Sequence, residues 1–261
     1  MSLRILHIWE QGISSTLART MDRLYGTSSM VLMREKLDPY HHNTVTPNLQ
    51  GGAADFYLKV LLKVPHVDIV HIHTHDRFVK LVKALRKPVV LSYHGSDIRG
   101  RWQEKQGRWS HADALTVSTR DLLEGAPDHV IYFPNPVDES FKPDAKPECE
   151  CAIHFSYGAD DLAKEIADRH GLPLIIVKQP IQHCDMPYFL RNYTHLVEAK
   201  RKNGQLIMSH IADTGSLLSL EALSCGLIVL CLDGERRGLP LEHCPEAAAG
   251  KLIRIYRELV A

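Results

Sequence analysis

The chain has 261 residues, with 31 Lys and Arg against 31 Asp and Glu, and 44% of its residues are hydrophobic. That length can bury one large core or two small ones, and the balanced charge argues against a general nucleic-acid binder, whose domain would be basic. No run of eighteen apolar residues occurs, and the first residues lack an apolar leader core; the expectation is a cytoplasmic protein with neither a spanning helix nor a signal peptide.

Short apolar runs alternate with longer amphipathic stretches. The first runs are Arg4–Trp9, Ser29–Met33, Asp68–Thr74, Pro88–Tyr93, Ala114–Ser118 and Val130–Pro134. Ala152–Tyr157, Pro173–Lys178, Gln205–Ser209 and Leu227–Leu232 follow. Most are rich in Val, Ile and Leu, the pattern of parallel strands covered on both faces. Helical periodicity fills Ser14–Leu24, Asp55–Lys63, Asp76–Arg86, Asp160–Arg169, Ser216–Cys225 and Pro245–Val260. The alternation predicts an α/β, doubly wound architecture.

Pro134–Pro147 holds four prolines in fourteen residues, so it cannot lie inside a helix or a central strand. It divides the chain into two Rossmann-like domains, residues 1–140 and residues 148–261, with the helix at about 245–260 free to pack back on the first. Two such domains imply a cleft. Ligands of open α/β sheets sit beyond the carboxyl ends of the strands, so the residues just after each strand are the candidates. The six cysteines form no CxxC pair and read as reduced thiols.

Four segments satisfy that criterion. Gly12 follows the first strand and permits close backbone approach before a helix N-terminus. His71, His73 and His75 alternate along one strand and so would share a face, a geometry that suits a metal such as zinc. With Asp76 they resemble, in swapped order, the HxHxDH motif of metallo-β-lactamase-fold hydrolases; a metal-dependent hydrolase is therefore one reading. His94 lies in Tyr93-His-Gly-Ser-Asp-Ile-Arg-Gly100, a polar loop after an apolar strand. Asp213-Thr214-Gly215-Ser216 precede an apolar helix that carries Glu221 among leucines. Ser216 is the expected N-cap, the helix end suits a diphosphate, and a ribose diol would partner the Glu221 carboxylate. Arg77–Lys87 forms a basic amphipathic stretch, expected to turn Phe78, Val82 and Leu85 inward or to meet anionic lipid.

Taken in order, these segments resemble the retaining GT-B glycosyltransferases of family 4, a group that includes phosphatidylinositol mannosyltransferases and sucrose-phosphate and trehalose synthases. DIVHIHTH is similar to that family's D-V-I-H-x-H strand, and PVVLSYHGSDIR to its P-V-V-x-T-x-H-G strand and loop. ADALTVSTRDLLEG with VIYFPNPVDESFKP is similar to its crossover, and DTGSLLSLEALSCGLIVLCLDG to its E-x7-E signature.

The resemblance implies two Rossmann-like domains facing a cleft, the first on the acceptor side and an abbreviated second holding a nucleotide-diphosphate sugar. It implies transfer of a sugar with retention, without a metal or other cofactor, to a lipid-linked or saccharide acceptor. Carried over by position, His94 would contact the transferred sugar, and Asp213 stands in place of the family's first Glu. Glu221 would hold the ribose; Thr214, Gly215, Ser216 and Leu217 would offer amides to the diphosphate; Gly12 marks the glycine loop. The family's Arg and Lys after the first strand of the second domain are missing, which makes a catalytically impaired nucleotide-sugar-binding relative the alternative reading, and Lys164 and Lys178 are the candidate replacements. The basic stretch would place the protein at the inner face of a membrane.

Overall fold

The computed structural model describes residues 2–9, 12–39, 42–143, 147–156, 158–202, 205–206 and 216–261. The chain forms two compact units, Met1–Pro136 with Glu242–Ala261, and Val137–Leu241.

The first unit runs β1 (Arg4–Ile8), α1 (Ile13–Tyr25), β2 (Ser28–Leu32), α2 (Ala53–Lys63), β3 (Ile69–His73), α3 (Phe78–Ala84), β4 (Val89–Tyr93), α4 (Gln106–Trp109), β5 (Ala114–Val117) and β6 (Ile131–Tyr132). All six strands are parallel, in the order β2-β1-β3-β4-β5-β6. The chain winds outward from β1 to β2, then returns past β1 to β3, so the switch point lies between β1 and β3. One face carries Leu6, Ile8, Val70, Ile72, Leu91 and Leu115 against Phe56 and Val60 of α2 and Phe78 and Val82 of α3. Strand alternation sends His7, His71, His73, Ser92 and Thr116 to the opposite face, where all five are buried.

The second unit runs β7 (Cys149–Phe155), α5 (Asp160–Arg169), β8 (Leu174–Val177), α6 (Met186–Arg191), β9 (Tyr193–Val197), β10 (Arg201–Lys202), β11 (Gln205–Leu206), α7 (Leu217–Ser224), β12 (Ile228–Cys231) and β13 (Gly234–Arg236). Its sheet has the order β13-β12-β9-β7-β8, with β13 antiparallel and the rest parallel. Its switch point falls between β7 and β9. Ile153, Leu196, Leu220, Leu223 and Val229 build one side of the core. Ala152, Ala163, Ile166, Val197 and Leu230 build the other. The last helix, α8 (Pro245–Val260), packs on α1 in the first unit.

Three sequence expectations are corrected here. The central strand β9 was not expected, because Tyr193-Thr-His195 opens it and breaks the apolar run. Of the strand expected at Gln205–Ser209, the described part pairs with Arg201–Lys202 in a separate two-stranded hairpin; its remainder lies outside the described residues. Leu85, expected inward, is 41% exposed, because α3 ends at Ala84 and Val79 fills the inward position instead.

Candidate functional site

The second unit has a built site at its switch point. A hollow of about 10 Å³ is lined by residues that include His154, Glu198, Lys200, Ser216 and Ser219. β7 and β9 bring His154 and Glu198 to it, and the start of α7 brings the two serines. Ser216 caps α7: its Oγ accepts from the Ser219 amide at 3.3 Å. An uncapped helix start carries amides without intrahelical partners and a partial positive charge.

Glu198 answers that charge from within the chain. Its carboxylate, 5% exposed, accepts from the Ser216 amide at 3.3 Å and from the Ser219 hydroxyl, and Lys200 Nζ stands 3.5 Å away. His154 Nδ1 donates to the Val197 carbonyl at 3.0 Å, and its Nε2 faces the Asp160 carboxylate at 3.5 Å.

Glu221 lies further along α7, 7% exposed. Among the described residues no donor pairs with its carboxylate. Burial pushes it up to about 8, with the nearby Asp138 charge adding to the effect. At pH 7 burial keeps it mostly protonated, and a ligand that supplies donors would favour the carboxylate.

Asp213, Thr214 and Gly215 lie outside the described residues. Ser216 and Leu217 stand at the helix start, with the Ser216 amide already bonded to Glu198. Lys164, on α5, and Lys178, just after β8, are exposed, and neither lines the hollow. Lys200 does. Sequence reasoning missed Glu198 and Lys200 because both follow the unexpected strand β9; a charged pair directly after a buried strand was the available signal.

The first unit gathers its polar residues at the carboxyl ends of β1, β3 and β4. Trp9 ends β1 at φ 72° and Thr74 follows β3 at φ 59°, the left-handed region that bulky and β-branched side chains avoid. Gly12, buried at φ 70°, caps α1 and takes a conformation that suits glycine. Thr74 also corrects the three-histidine expectation. Its left-handed turn breaks the alternation, so His75 leaves the face of His71 and His73 and stacks on Trp9, ring centroids 3.8 Å apart.

His7 takes that third place instead. His7, His71 and His73 have ring nitrogens within 4.8 Å of one another and are the grouping, among the described residues, that could hold a metal ion. Each has other partners. His71 is bonded to the Tyr256 hydroxyl of α8 at 2.7 Å and to Ser92 Oγ at 2.6 Å, and Ser92 reaches Thr116 at 2.5 Å. His94 Nδ1 donates to Asn135 Oδ1 at 2.9 Å, so its Nε2 accepts from His73 Nδ1 at 3.1 Å. His73 Nε2 in turn accepts from His7 Nδ1 at 3.3 Å. Both ring nitrogens of His94 are thus engaged in the resting protein. Burial pushes His7 down to about 3 and holds His71 and His73 well below the usual imidazole range. Asp76, beside this site, is bonded to Lys105 at 2.8 Å and Arg108 at 3.1 Å, which hold it below the usual carboxylate range despite its burial.

No protein-family model and no curated protein matches the chain. Solved structures do. AviGT4, a glycosyltransferase involved in avilamycin A biosynthesis, is similar with a TM-score of 0.62 at 13% identity, over 99% of this chain and 98% of that one. The UDP-GlcNAc 2-epimerase of Neisseria meningitidis, solved with UDP-GlcNAc, is similar with a TM-score of 0.51 at 13% identity, over 100% and 94%. At this identity the likeness speaks for the fold alone. Among the described residues no helix is long and apolar enough to cross a membrane. The chain has the GT-B glycosyltransferase fold, an α/β architecture of two Rossmann-like units.

Proposed function

We propose that the chain is a glycosyltransferase that moves a sugar from a nucleoside-diphosphate donor to an acceptor hydroxyl. One observation carries the reading: Glu221, a buried acid on α7 with no described donor, held neutral until a partner arrives. A ribose diol offers two hydroxyl donors and would convert it to a bonded carboxylate. The fold shared with AviGT4 supports the same reading.

Within it, the second unit binds the donor, with Glu221 on the ribose and Ser216 and Leu217 at the diphosphate. Thr214 and Gly215 complete that loop, and Asp213 serves the donor sugar. Lys200 takes the cation's role ahead of Lys164 and Lys178, because it lines the hollow at the start of α7. An electrostatic clamp of this kind stabilises charge developing on the leaving diphosphate without a metal. His94 serves the transferred hexose by exchanging its bond to His73 for a sugar hydroxyl. Gly12 lets the loop after β1 approach the substrates.

Retention follows from the family resemblance. The leaving phosphate oxygen takes the acceptor's proton as the new glycosidic bond forms on the same face, and no carboxylate nucleophile is required. The acceptor is lipid-linked or a saccharide. The basic stretch with exposed Leu81 and Leu85 supports peripheral contact with the inner face of a membrane.

The epimerase likeness sets the terms of the test, since the same fold accompanies a different reaction on a nucleotide sugar. Nuclear magnetic resonance of a panel of nucleotide sugars incubated with the protein reads transfer or hydrolysis as release of nucleoside diphosphate, the anomer as the product's configuration, and epimerisation as a changed sugar. The expected result is release of nucleoside diphosphate with retained configuration, reduced at least a hundredfold in Glu221→Ala. Epimerised sugar, or turnover equal in the variant, contradicts the proposal. The second reading, a metal-dependent hydrolase, now rests on His7, His71 and His73; stoichiometric metal in the purified protein, lost in His7→Ala together with turnover, would favour it.

A further inference from the structure

His94 has a partner at each ring nitrogen, and one of them decides what the other nitrogen can offer. His7, His73 and His94 form one chain of hydrogen bonds. Nδ1 of His7 lies 3.3 Å from Nε2 of His73, and Nδ1 of His73 lies 3.1 Å from Nε2 of His94. A neutral imidazole donates through one ring nitrogen and accepts through the other, so the chain can run in two directions, and a reversal moves all three protons together. The inner end does not choose between them. His7 Nε2 is buried without a partner in both, as a lone pair in one direction and as an N–H in the other. The outer end does choose. Asn135 Oδ1 lies 2.9 Å from His94 Nδ1 and accepts, which puts the His94 proton on Nδ1 and leaves Nε2 as an acceptor. Asn135 is itself held in place. It stands between Pro134 and Pro136, and a residue before proline is steered to extended backbone. Its carbonyl accepts from Nδ1 of His243, a buried side chain, at 2.8 Å.

We infer that Asn135 is a positioning residue for His94: by accepting from Nδ1 it fixes the direction of the whole histidine chain and makes Nε2 of His94 an acceptor. This rests on the reading in which His94 serves the transferred sugar, and it adds a selectivity to that reading. A group that enters between His73 and His94 meets an N–H on one side and a lone pair on the other. A hydroxyl satisfies both, since it accepts from the first and donates to the second. A carboxylate or carbonyl oxygen accepts only, and leaves two lone pairs facing each other without a proton between them. The site therefore selects a sugar that presents a hydroxyl at this point over one that presents a carboxylate.

The test is nitrogen-15 nuclear magnetic resonance of the full chain with labelled histidine, which reads which ring nitrogen of an imidazole carries the proton. The signal lost in His94→Gln assigns His94. The wild type is expected to carry the His94 proton on Nδ1. Asn135→Leu removes the acceptor at similar volume and should lower the ratio of Nδ1–H to Nε2–H at His94 by about tenfold, the worth of one hydrogen bond. Asn135→Asp, whose carboxylate can only accept, should keep the proton on Nδ1. A variant that merely loosened the fold would not show this contrast. A proton on Nε2 of His94 in the wild type, or an unchanged ratio in Asn135→Leu, overturns the inference. Should Asn135→Leu fail to fold, the wild type and Asn135→Asp still decide, since a proton on Nε2 in either one overturns it. Turnover of nucleotide sugars separates this from the broader reading. In Asn135→Leu kcat/KM is expected to fall by about tenfold, and turnover equal to that of the wild type contradicts the positioning role. If the tautomers behave as expected but the wild type turns over no nucleotide sugar, the role of Asn135 in directing His94 stands and the sugar reading fails.

Discussion

Glu221 is a residue whose position costs the free protein stability. An unfolded chain releases its proton near the ordinary value of 4.5, whereas the folded chain keeps it to about 8. A raised acid contributes its full stability below 4.5, and that contribution is lost as pH climbs through 8. Glu221→Gln removes this penalty. At pH 8 the variant without ligand should be more stable than the wild type, by about 4 kcal/mol, and at pH 5 the two should lie within about 1 kcal/mol; thermal melts at both values check this. A stability gain coupled to a loss of donor turnover marks a group kept for binding and not for folding. Glu221 was legible in the sequence because an acid among leucines needs a reason. Glu198 was not, since nothing in Val197-Glu-Ala-Lys200 announces that its carboxylate turns onto a helix start eighteen positions away.

At the scale of elements, the polar face of the first sheet is the notable feature. β1, β3, β4 and β5 place His7, His71, His73, Ser92 and Thr116 on one side, and α8 covers it through Tyr256. Hydrophobic periodicity found these strands because their other face is apolar throughout. It could not reveal the histidine row, which depends on the parallel register that sets His7 opposite His71. Periodicity also missed β9, whose first residues are polar although the strand is central. The row has a measurable consequence. As pH falls through about 6.5 the unfolded chain protonates these three histidines, while the folded chain keeps them neutral. Their contribution is present above 6.5 and lost below it, at about 1.4 kcal/mol per pH unit for each histidine. Urea melts between pH 7 and 5 should show a steep loss, with the slope about one third shallower in His7→Asn; a flat profile would mean that the row is open to water.

For the whole molecule, the units divide after Pro136, within the proline-rich stretch, and again after Leu241. α8 belongs to the first unit, since Tyr256 completes the bonding of His71 and the helix packs on α1. The first unit is therefore assembled from both ends of the chain, and the second is a continuous insertion, Val137–Leu241. Both units share one design: a largely parallel sheet with a switch point, and candidate side chains just beyond the strand ends. Binding of a nucleoside diphosphate by the second unit is the central claim, and proton-linked calorimetry tests it most directly. Titrations of nucleoside diphosphates at pH 7, in two buffers of different ionisation heat, should find one that binds the wild type with release of nearly one proton more than from Glu221→Gln, in which affinity falls at least tenfold. If none binds, or if binding and proton release are equal in the two proteins, the account is contradicted.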